Sequence, residues 1–107
     1  VATEPADAPI LSTGTGGKHK IMGTAPSFIP DTLDQSAYDE IIAVTAEAAY
    51  GSARQLAQKE GIFCGISCGA AVAGMLTYAR SEGARGKELL AILPDTGERY
   101  LSTDLWI

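Results

Sequence analysis

Three short runs without a polar residue, Ile41-Ile42-Ala43-Val44, Ile62 to Ile66 and Leu89-Leu90-Ala91-Ile92-Leu93, alternate with two longer segments of helical spacing. A strand with one wet face alternates apolar and polar residues, whereas a run that is apolar throughout fits a strand covered on both sides. The first intervening segment, Ala46 to Lys59, carries Ala49, Ala53, Leu56 and Ala57 on one face. Thr45 precedes it as a cap, Glu47 sits near its positive end and Gly61 follows its last turn, all marks of a helix. The second segment predicts a helix from about Gly69 to Arg80. The order strand, helix, strand, helix, strand predicts an α/β fold: a parallel sheet with right-handed crossover helices.

Such a sheet needs helices on both faces, and only two firm ones are in view. The sequence also opens within an apparent strand, Val1-Ala2-Thr3, and stops on the apolar Leu105-Trp106-Ile107. The expectation is a single portion, residues 1–107, of a larger α/β protein. Pro5 and Pro9 break the opening strand, and Ser12 to Gly17 reads as a glycine-rich loop. Pro26 and Pro30 bracket Ser27-Phe28-Ile29 and prevent a regular helix, so this stretch is expected to be irregular and surface-lining. Thr32 to Asp39 is expected to form a helical turn.

Composition narrows the function classes. The 107 residues are 46 % apolar and 20 % charged, which is ordinary globular usage and excludes disordered or low-complexity classes. A formal charge of −5 offers no basic stripe for nucleic acid or an anionic membrane. No run reaches the eighteen or so apolar residues of a membrane span, and Val1 to Pro9 lacks a basic start and an apolar core, so a cytoplasmic location is expected. Cys64, Cys68 and the single histidine, His19, do not have the spacing of a zinc site or a disulfide framework.

Four segments are candidates for chemistry. Ser67 stands where the run from Ile62 turns into a helix, between Gly65 and Gly69. In open parallel sheets ligands collect at this edge, where helix N-termini present free N–H groups. The competing reading makes Ser67 an N-cap and both glycines packing residues. Pro94-Asp95-Thr96-Gly97 follows the last apolar run and reads equally as a site or as a tight turn, with Glu98 and Arg99 forming a local ion pair. Thr13 to Gly17 resembles a phosphate cradle, but no strand leads into it and no helix follows, so it is read as a loop. His19, between Lys18 and Lys20, is an acid–base candidate or a solvated side chain. Cys68, at a helix start, is a candidate for a lowered thiol pKa.

Taken together, HKIMGTAPSFIP (His19 to Pro30), EGIFCGISCGAAVAGM (Glu60 to Met75) and AILPDTGERYLST (Ala91 to Thr103) resemble the C-terminal part of the cysteine synthase (O-acetylserine sulfhydrylase) family. The likeness covers essentially the whole chain. It implies the tryptophan-synthase-β-like fold, pyridoxal 5'-phosphate as cofactor, and β-replacement of the acetate of O-acetylserine by sulfide. By the same resemblance, Ser67 hydrogen-bonds the pyridine nitrogen, Pro94 and Asp95 pack near the ring, and Gly23 and Thr24 lie on the substrate side. A serine hydroxyl can leave that nitrogen neutral, whereas an aspartate would hold its proton and strengthen the electron sink. Asp95 stands where the family often has serine, Cys68 where serine or threonine is usual, and Thr24 to Ser27 is less glycine-rich. The family's cofactor-binding lysine and its phosphate cup lie in a preceding segment, and Lys18, Lys20, Lys59 and Lys87 lack that lysine's context. This chain alone is therefore expected to be inactive. The resemblance also implies a homodimer and docking of the C-terminal tail of serine acetyltransferase. Two other readings stand beside it: a non-catalytic binding domain of the same fold, and a sister activity such as cystathionine β-synthase or a dehydratase.

Overall fold

The computed structural model describes residues 1–107. Strands β1 (Ala2–Pro5) and β2 (Ile41–Val44) pair in parallel, with Ala2 opposite Ile41 and Pro5 opposite Val44. Pro5 is tolerated because it ends its strand, where its missing N–H interrupts no ladder. The next amide, Ala6 N–H, donates to the Val44 carbonyl at 2.8 Å. Helix α1 (Ile10–Thr13) follows, in place of a loop from Ser12 onward. Its cause lies seven residues away: Glu4, 4 % exposed within β1, accepts from the amides of Leu11 (2.7 Å) and Ser12 (3.2 Å) and from the Ser12 hydroxyl. A buried carboxylate is stable only with such donors, and here it satisfies the free N–H groups of a helix start.

Helix α2 (Ala46–Gln55) begins as expected, with Thr45 Oγ1 accepting from the Ala48 amide at 3.1 Å. It continues as a π-helical turn, Leu56–Glu60, and ends on Gly61 in the left-handed region (φ 69°). Helix α3 (Ile66–Ala79) starts three residues before Gly69, because the extended Gly65 acts as its N-cap. α3 lies on the sheet, and α2 lies on α3. Thr32 to Asp39 forms turns closed by Leu33 N–H to Pro30 and Ala37 N–H to Asp34, and no helical turn.

The architecture is α/β, but the sheet has two strands where the apolar runs predict more. Ile62 to Ile66 makes one isolated antiparallel bridge, Cys64 with Thr96, and Gly97 N–H donates to the Phe63 carbonyl at 3.1 Å. Leu89 to Leu93 makes no backbone–backbone hydrogen bond, and Leu90 and Ile92 are 85 % and 71 % exposed. A strand exists only through a neighbour's N–H and C=O groups, and no other strand of the chain pairs with this run. The core gathers on α3 and its neighbours: Val44, Ala49, Ala53, Ile66, Cys68 and Leu105.

Candidate functional site

Ser67 lies in the first turn of α3, two residues after the N-cap Gly65. It is half-buried, and the cap position belongs to Gly65, so the hydroxyl is not committed to capping. No polar side-chain atom of the chain is both buried and unpartnered, so the Ser67 hydroxyl is not sealed in the interior either. It is left open at the positive end of a fourteen-residue helix.

The neighbouring residue joins this helix start to the other candidate turn. The Cys68 thiol, fully buried, reaches Asp95 Oδ1 at 3.2 Å and the Asp95 carbonyl at 3.5 Å. The Tyr100 hydroxyl donates to Asp95 Oδ2. Ser67 and Asp95 are thereby brought to the same end of α3, while Asp95 is held from two sides and is itself half-buried. Pro94 is exposed beside it. Residues 97–100 form a 3₁₀ turn after Thr96, and Glu98 accepts from the Thr96 hydroxyl at 3.1 Å in place of the expected pairing with Arg99.

One expectation about this edge is corrected. Cys68 does not have a lowered pKa: burial, before any other cause, pushes its thiol up. Burial and the neighbouring Cys68 push Cys64 up to about 11. Both thiols are therefore neutral packing groups near pH 7. The flanking glycines, for their part, make room for the chain itself. A Cβ on Gly65 would stand 2.2 Å from Asp95 Oδ1, and one on Gly69 would stand 2.0 Å from the Ala49 carbonyl oxygen.

Gly23 and Thr24 sit apart from that cluster. Gly23 is exposed at φ 86°, and a Cβ there would meet nothing within 4 Å. Thr24 Oγ1 donates to the Ile21 carbonyl at 2.6 Å. Thr24 lines an open cavity of about 410 Å³ with Ile10, Leu11, Phe28 and Leu33, and neither Ser67 nor Asp95 borders it. Two non-glycine residues of this loop have positive φ, Ala25 (41°) and Ser27 (69°), a conformation costing roughly 1–3 kcal/mol each. His19 is not a solvated side chain: its Nδ1 accepts from the Ile21 amide at 3.2 Å and its Nε2 lies 3.1 Å from the Ala25 carbonyl. Sequence reasoning missed this role, and also that of Tyr100, because both depend on pairs formed by the folded loop. Glu4 was missed as well, though a carboxylate within the opening strand was a signal that could have pointed to it.

Residues 1–95 match the family of pyridoxal-phosphate dependent enzymes. The chain belongs to that family. Within it, the chain is 48 % identical over 103 residues to a probable cysteine synthase of Bacillus subtilis, covering 96 % of this chain and 33 % of the relative. It is equally 48 % identical over 106 residues to the O-ureido-L-serine synthase of Streptomyces lavendulae, covering 99 % of this chain and 32 % of that protein. The crystal structure of O-acetyl serine sulfhydrylase isoform 3 from Entamoeba histolytica superposes with a TM-score of 0.94 at 41 % identity, over 98 % of this chain and 31 % of the other. The chain spans about a third of the length of these family members.

The residues fit what a pyridoxal-phosphate enzyme requires at the ring. An uncommitted hydroxyl at a helix N-terminus suits the pyridine nitrogen, and its neighbour in the chain, Cys68, contacts the turn in which Asp95 is already fixed. Lys18, Lys59 and Lys87 are exposed, and Lys20 pairs at the surface with Asp104 at 3.8 Å.

Proposed function

We propose that this chain is the C-terminal portion, residues 1–107, of the cofactor-binding domain of a cysteine-synthase-type enzyme that replaces the β-substituent of an activated serine, O-acetylserine, by sulfide. The observation that carries this reading is the free Ser67 hydroxyl at the first turn of α3, tied through Cys68 to the turn at Asp95. When bound, the cofactor supplies the electron sink that labilises the substrate's α proton and expels its β leaving group. The chain's own part is to place the Ser67 hydroxyl against the ring nitrogen without a fixed negative charge. A neutral partner leaves the sink weak, which favours loss of the leaving group over transamination. Pro94 and the anchored Asp95 bound the ring's edge, while Gly23 and Thr24 leave space for the amino acid. The lysine and the phosphate cup come from the preceding segment, so residues 1–107 alone are inactive. An O-ureido-L-serine synthase of equal similarity favours a second reading, the same chemistry with a different leaving group or nucleophile.

The test is made on the full-length protein. The wild type should purify yellow and release acetate from O-acetylserine in the presence of sulfide. Ser67→Ala should lower kcat/KM about tenfold, the worth of one hydrogen bond to a reacting group. Ser67→Asp should lose replacement and gain half-transamination, seen as a shift in the cofactor's absorption. A colourless protein, or a Ser67→Asp variant with unchanged partitioning, overturns the reading.

A further inference from the structure

We propose that His19 is a positioning residue for the substrate-side loop, its ring bridging the Ile21 amide and the Ala25 carbonyl so that Gly23 and Thr24 keep the shape a substrate meets. The inference rests on the reading of Gly23 and Thr24 as substrate-side residues. It also stands on geometry of its own.

The two ring nitrogens face opposite kinds of partner. The Ile21 amide is a donor, so Nδ1 at 3.2 Å must accept; the Ala25 carbonyl only accepts, so Nε2 at 3.1 Å must carry the proton. One neutral tautomer satisfies both contacts, and the other satisfies neither. The bridge starts from a fixed point, since Ile21 is 1 % exposed and belongs to the core. Both of its backbone groups are used to shape the loop, its N–H by His19 and its C=O by the Thr24 hydroxyl at 2.6 Å. Between these ties the chain reverses through Gly23 at φ 86° and Ala25 at φ 41°. Alanine enters that region only where its surroundings hold it, and the hydrogen bond on Ala25's own carbonyl is such a hold. Lys20 is engaged elsewhere, with Asp104, so the histidine is the side chain that closes this ring of residues.

The experiment uses the full-length, cofactor-loaded protein and a graded series at one position. In His19→Asn the amide oxygen still accepts from Ile21. In His19→Gln the amide nitrogen still reaches toward Ala25, and His19→Phe retains neither contact. The phenylalanine variant should raise KM for the activated serine about tenfold with less than about a threefold change in kcat, the size expected for lost hydrogen bonds that preorganise a site. The Asn and Gln variants should fall between it and the wild type. The Ile21 amide, which donates to Nδ1, should exchange faster in the Phe and Gln variants than in the Asn variant and the wild type, and nitrogen NMR of the wild type should show Nε2 protonated and Nδ1 bare. Wild-type KM and wild-type exchange in all three variants, or the opposite tautomer, overturn the proposal. If the protein carries no cofactor, the functional reading fails instead, and the exchange and tautomer measurements still decide for or against the bridge. Should His19→Phe not fold, the Asn and Gln variants decide in the same way.

Discussion

Asp95 accepts from the Tyr100 hydroxyl and from the Cys68 thiol before any ligand approaches it. Its carboxylate, which the sequence offers as a cofactor neighbour or a turn residue, is thereby a fastening between the start of α3 and the turn that follows Leu93. Tyr100 records that arrangement in its titration. The bond to Asp95, then burial, push its hydroxyl up from the ordinary 10 to about 12. Below pH 10 the group is protonated folded or unfolded, and its contribution to stability is complete. Between pH 10 and 12 the unfolded chain releases the proton that the native chain retains, so stability falls as pH rises. Cys64, raised from 9 to about 11, adds a loss of the same sign that begins lower. Thermal melts from pH 8 to 12 should show this decline, and Tyr100→Phe should flatten it above pH 10 while costing about 1 kcal/mol at neutral pH. A wild-type melting temperature constant over that interval would contradict the Tyr100–Asp95 bond.

Between elements, the controlling contact is the crossing of α2 and α3. Ala49 and Ala53 are fully buried, and Gly69 brings α3 so close that an added Cβ would lie 2.0 Å from the Ala49 carbonyl oxygen. Gly51, in the same helix as Ala49, would place a Cβ in open space. The two glycines therefore predict opposite outcomes for one substitution. Gly69→Ala should destabilise by about 2 kcal/mol or more, because packed backbone must move. Gly51→Ala should stabilise by about 0.5–1 kcal/mol, because it removes only unfolded-state freedom and a poor helix former. Urea unfolding of both variants checks the pair, and equal shifts would show the helices less closely packed than this. The same crossing anchors the chain's final residues. Arg54 donates to the carbonyls of Leu105 at 2.6 Å and Asp104 at 2.7 Å, Leu105 is fully buried, and Trp106 packs on Phe63 with ring centroids 4.8 Å apart. Leu105 and Trp106 thus find a place against this crossing, while Ile107 is exposed.

For the molecule as a whole, the apolar runs were legible but their pairing was not. Leu89 to Leu93 is as apolar as β2, yet it lies unpaired along an open cavity of about 750 Å³ that also touches Val1 and Thr3 of the opening segment. An exposed apolar segment with free N–H and C=O groups is a template for association. Leu90→Lys combined with Ile92→Lys should therefore reduce self-association of residues 1–107 in sedimentation velocity, with little change in melting temperature. A large loss of stability would mean that these side chains are buried in solution. No helix of the chain is long and apolar enough to cross a membrane.

Spacing and residue type alone determined both long helices, the Thr45 cap of α2, β2, the opening strand and the α/β class, because each follows from local periodicity and nearby hydrogen-bonding groups. The three family-like segments likewise carried the position of Ser67 at a helix start. Tertiary structure decided which apolar runs became strands, since a ladder requires a partner that no local pattern contains. It also decided what Glu4, His19, Asp95 and Tyr100 do, because their partners are donors and acceptors presented only after the chain has turned back on itself. It likewise decided for the packing reading of the two glycines flanking Ser67, whose closest neighbours are Asp95, on a turn far along the chain, and Ala49, on another helix.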